Sequence, residues 1–70
     1  MSPMPENPRT AGTPVKLLDK RYAGRLATIV FQKHPLYEVK VAKAVGDPAP
    51  DEYDTRAELA VVTYSKMELA

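Results

Sequence analysis

Seventy residues with no cysteine, 27% of them charged and a net charge of +1, exclude a good deal before any element is drawn. A chain of this length makes one domain at most. It buries only about 60% of its unfolded surface, and has neither a disulfide nor a thiolate metal site to staple it.

No apolar run approaches the ~18 residues that cross a bilayer. Prolines stand where the apolar stretch of a signal peptide would be. A cytoplasmic protein whose small core gains from a second chain is the expectation. The charge is uneven. Residues 1–45 hold eight lysines and arginines against three acids, while residues 46–70 hold two against six. Such a split suits an anionic partner for the first half or association between copies; two ordinary solvated faces produce it equally well.

Residues 1–12 carry Pro3, Pro5 and Pro8 with little to pack beyond two methionines, and read as an N-terminal arm, flexible or bound to a partner. Residues 13–70 form the single domain. Thr13-Pro14 offers an N-cap and a first-turn proline. Val15, Leu18 and Tyr22 then recur at helical spacing, and Gly24 suits a helix end, which predicts a helix over 14–23. The competing reading is a strand at 15–18 leading through a loop to Arg25, as in a small SH3-like β-barrel.

The stretch from Arg25 to Val45 predicts a hairpin. Leu26, Thr28, Ile29, Val30 and Phe31 precede the turn; Tyr37, Val39 and Val41 alternate after it. Pro35 belongs in the turn because it has no N–H to give a ladder. A three-residue loop at 34–36 pairs Lys33 with Tyr37, Phe31 with Val39 and Ile29 with Val41. The segment from Gly46 to Asp54 is an acidic, proline-broken loop. Beyond it, Thr55 and Glu58 fit a capping box, but Val61-Val62-Thr63-Tyr64 is rich in β-formers, and a third strand at 57–66 is the preferred reading.

The expected fold is therefore α+β: a short N-terminal helix plus a three-stranded antiparallel sheet. Its expected core is Leu18, Tyr22, Ile29, Phe31, Tyr37, Val39, Val41 and Val61. Leu26, Val30, Val62 and Tyr64 are left without a covering element, and form the expected protein interface.

Catalytic chemistry finds little footing. His34 is the single histidine and stands beside a turn proline with no orienting acid. Asp47, Asp51, Glu52 and Asp54 lack the spacing and central glycine of a calcium loop. The glycines are isolated, so no phosphate cradle is indicated. The expectation is a protein without enzymatic activity, cofactor or metal: an interaction module, inhibitor or structural subunit that docks on a larger protein or on itself. Phage- and plasmid-encoded accessory proteins often have this size. The alternative is nucleic-acid binding through Lys16, Lys20, Arg21, Arg25, Lys33, Lys40 and Lys43, with Tyr22 and Tyr37 interleaved.

Overall fold

The computed structural model describes residues 9–70. The expected arm at 1–12 lies mostly outside the described residues. The chain is nearly all sheet: β1 (Pro14–Leu17), β2 (Leu26–Lys33), β3 (Leu36–Val41), β4 (Glu58–Thr63) and β5 (Met67–Leu69), with one 3-10 turn (Tyr64–Lys66) before the last strand. All pairings are antiparallel, and the strand order is β4-β3-β2-β1-β5.

The expected helix at 14–23 is absent. Val15 and Leu17 alternate with Pro14 and Lys16, and both are fully buried, a period of two that a helix cannot satisfy. Pro14 is the first residue of its strand, a position where the missing N–H is tolerated. The Leu17 N–H donates to the Arg25 carbonyl and the Gly24 N–H to the Leu17 carbonyl, so the chain turns back at once. Gly24 serves that turn at φ +85°, not a helix terminus. The segment thus belongs to a five-stranded sheet, and the α+β expectation is replaced by an all-β architecture.

The hairpin is present with a different register. Its turn is His34-Pro35, joined by a cis peptide, so Lys33 pairs with Leu36, Gln32 with Tyr37 and Phe31 with Glu38. A register shift at Val30 then sets Ile29 opposite Val39 and Ala27 opposite Val41, in place of the expected Phe31–Val39 and Ile29–Val41 pairs. A β-bulge of this kind inserts one residue and flips the inward–outward parity of the strand beyond it. Phe31 is thereby carried out of the expected core and onto the outer face, 54% exposed.

The third expected strand is β4, ending at Thr63, and its parity is also reversed. Ala60 and Val62 face inward, while Leu59 and Val61 face out. Leu18, placed in the turn after β1, is exposed as well. The core that forms instead comprises Val15, Leu17, Tyr22, Ala27, Ile29, Tyr37, Val39, Val41, Ala60, Val62 and Met67. Burying a side chain such as Val or Leu contributes about 1.5–3 kcal/mol, and every strand supplies at least one such residue.

Candidate functional site

The sheet has an inner face that builds the core and an outer face divided into two parts. Pro14, Thr28 and Lys40 lie in one outer row, as the register of β1, β2 and β3 requires. The acidic loop after β3 folds over this row: the buried Thr28 hydroxyl donates to the Pro50 carbonyl, and Ala11, Gly12 and Pro14 line a shallow hollow with residues 49–53. Asx-type turns hold the loop itself. Asp51 Oδ1 accepts from the Tyr53 N–H at 2.7 Å, and Asp54 Oδ1 from the Arg56 N–H at 2.8 Å.

The other part of the outer face is covered by no element among the described residues. Phe31, Glu38 and Val61 form one row across β2, β3 and β4; Lys33, Leu36 and Thr63 form the next; Leu59 stands beside Lys40. Phe31, Leu36, Leu59 and Val61 are between 49% and 65% exposed. Phe31, Lys33, Leu36, Tyr37, Glu38 and Val61 line a depression of about 140 Å³. Apolar side chains clustered in this way mark docking surfaces more often than isolated exposed leucines do, and Glu38 and Lys40 stand among them on the middle strand.

This face runs out to the free edge of β4. The Tyr64 N–H donates to the Pro35 carbonyl at 2.7 Å, which fixes the phase of the β3–β4 ladder. Because antiparallel hydrogen bonding alternates, Glu58, Ala60 and Val62 bond inward to β3. Leu59, Val61 and Thr63 therefore aim their N–H and C=O groups away from the sheet. From Leu59 to Thr63 this edge carries no charge and no proline, the devices that usually blunt an edge strand. β5, the other edge, is only three residues long with Glu68 at its centre.

At the turn end of β4 lies a compact polar and aromatic cluster. His34 Nδ1 and the Tyr37 hydroxyl are 2.8 Å apart, and the Tyr64 ring packs 5.0 Å from the His34 ring. The Arg9 guanidinium sits 4.6 Å over Tyr64. Burial, the largest influence, pushes the Tyr37 phenol above its ordinary value of 10.0. Among the described residues no group of three or more potential metal ligands comes together.

The expected interface residues divide. Val62 is a core residue, 3% exposed, and is covered by its own sheet. Tyr64 is half-buried against that core, and Leu26 and Val30 are half-buried on β2. Parity places Leu59 and Val61, not Val62, on the outer face of β4, and no alternation in the sequence marks a bulge at Val30. The seven basic residues do not form one stripe. Lys20, Arg21 and Arg25 stand in and after the β1–β2 turn with Lys43 at the same end of the sheet, Lys33 is at the opposite end, and Lys16 and Lys40 lie on the outer face between. Lys16 has Glu68 as its cross-strand neighbour. Arg21 and Arg25 both lie 5.9 Å from the ring of Tyr22, which is itself buried and gives its hydroxyl proton to Glu58 Oε2 at 3.2 Å.

No helix among the described residues is long and apolar enough to cross a membrane. Comparison of the chain with protein-family models, with curated proteins and with solved structures finds no match.

Proposed function

We propose that this protein is a non-catalytic interaction module that docks through the outer face of β2, β3 and β4 and the adjoining free edge of β4. The observation that carries the reading is the coincidence of two features on one strand. Leu59 and Val61 contribute exposed apolar side chains to the patch, and the backbone donors and acceptors of the same residues find no partner strand among the described residues. An added strand would satisfy those groups, while pockets between alternate side chains would give specificity.

Affinity capture from source cells tests this. Tagged protein retains a partner; Val61→Glu and Leu59→Lys lose it with an unchanged fold by circular dichroism, and Lys20→Glu, at the far end of the sheet, keeps it. Retention of the same partner by Val61→Glu would refute the docking surface.

The second reading, nucleic-acid binding, draws support from Phe31, which lies between Lys33 and Lys40 on the outer face and could stack on a base. Glu38, directly opposite Phe31, works against it. Binding to single-stranded nucleic acid that weakens steeply with added salt would favour this reading.

A further inference from the structure

The docking reading leaves open what lies against β4, and we infer that the occupant is a second copy of this chain, paired antiparallel along β4 about a two-fold axis at Val61. The inference rests on that reading and extends it to a partner. Its first ground is the phase of the ladder. The outward-bonding residues are Leu59, Val61 and Thr63, a set symmetric about Val61. A two-fold axis there sets Val61 opposite Val61 of the second copy, and Leu59 opposite Thr63. All outward N–H and C=O groups of both strands then find partners. Isologous contacts need this kind of self-complementarity.

Parity supplies the second ground. The same register places Ala60 opposite Val62 on the inner side and keeps Leu59, Val61 and Thr63 together on the outer side. The apolar patch on β2–β4 becomes continuous across the two copies instead of ending at an exposed edge.

Charge complementarity is the third. Glu58, at the start of β4, falls opposite Tyr64 of the second copy, whose ring carries the Arg9 guanidinium. The carboxylate therefore approaches a cation, and symmetry makes the contact twice. Tyr22 donates to Glu58 Oε2, and among the described residues Oε1 has no hydrogen-bond donor. Arg56 falls opposite Lys66, but both lie beyond the paired strands and are exposed to solvent. The other edge offers no comparable geometry, because β5 has three residues, two of them exposed and one of these a glutamate.

Light scattering across micromolar to millimolar protein, combined with oxidative cross-linking, tests the inference. The chain has no cysteine, so Val61→Cys introduces a single thiol. Hydrogen-bonded antiparallel partners have Cα atoms about 5.5 Å apart, within the ~4.4–6.8 Å range that a disulfide spans. Wild type should reach twice the monomer mass, Val61→Glu should stay monomeric, and Val61→Cys should cross-link while Lys20→Cys does not. A wild type that is monomeric at every concentration, or a dimer that Val61→Glu leaves intact, would overturn the second-copy proposal. The docking reading fails by a different result, the capture of a partner by Val61→Glu as well as by wild type.

Discussion

Tyr37 shows how much one side chain holds together. It is 1% exposed, its ring lies on the core face of β3, and its hydroxyl meets His34 in the turn that begins the strand. Tyr37→Phe keeps the packing and removes the hydrogen bond, and should cost about 1 kcal/mol in urea denaturation. Tyr37→Ala empties the core and should cost about 3–5 kcal/mol, on the scale of Phe→Ala changes. The raised phenol value also sets a pH dependence. Above pH 10 the unfolded chain loses a proton that the folded chain retains. Stability associated with Tyr37 is therefore complete below pH 10 and is lost as pH rises through the folded value. Denaturation between neutral and strongly alkaline pH should show a smaller loss for Tyr37→Phe than for wild type. Tyr53, raised chiefly by the Glu52 carboxylate beside it, is exposed and adds little to this slope.

Gly24 acts through backbone alone. At φ +85° a β-carbon is strained, and it would also stand 3.4 Å from Val45 Cγ2. Gly24→Ala should lower stability by about 1–2 kcal/mol, read as a reduced midpoint with an unchanged denaturant slope.

At the scale of elements, β3 was legible because Tyr37, Val39 and Val41 alternate without interruption and all three are buried. The strand β4 followed from Val61-Val62-Thr63 in the same way, but the 3-10 turn at Tyr64–Lys66 and β5 did not, since the composition predicts a single strand through residue 66. The segment at 14–23 was not legible, since Val15, Leu18 and Tyr22 satisfy a helical period while Val15 and Leu17 satisfy a strand period. Only the return of the chain at Gly24 and the pairing with Arg25 decide between them. A bulge leaves no trace in composition, so the inward or outward choice for Phe31 was beyond reach, and with it half of the candidate site. The acidic loop after β3 makes a further test at this scale. Thr28 is its tether to the sheet, and Thr28→Val removes the hydroxyl with little change in shape. Cleavage by a protease in the 46–57 loop should become faster, with a global destabilisation of about 1 kcal/mol.

For the whole molecule, a seventy-residue sheet with a single small core has every reason to recruit surface from outside itself. Among the described residues it has one blunted edge, β5, and one open edge, β4, and its exposed apolar patch adjoins the open one. On the docking proposal, that asymmetry makes the edge strand a single, directional contact instead of an aggregation hazard.

Amide hydrogen exchange along β4, residue by residue, in dilute and in concentrated protein, tests this most directly. In dilute solution the amides of Ala60, Val62 and Tyr64 should be protected and those of Leu59, Val61 and Thr63 should exchange freely; on concentration the second set should become protected together. Equal protection of all six in dilute solution, or free exchange of Leu59, Val61 and Thr63 at every concentration, would contradict it.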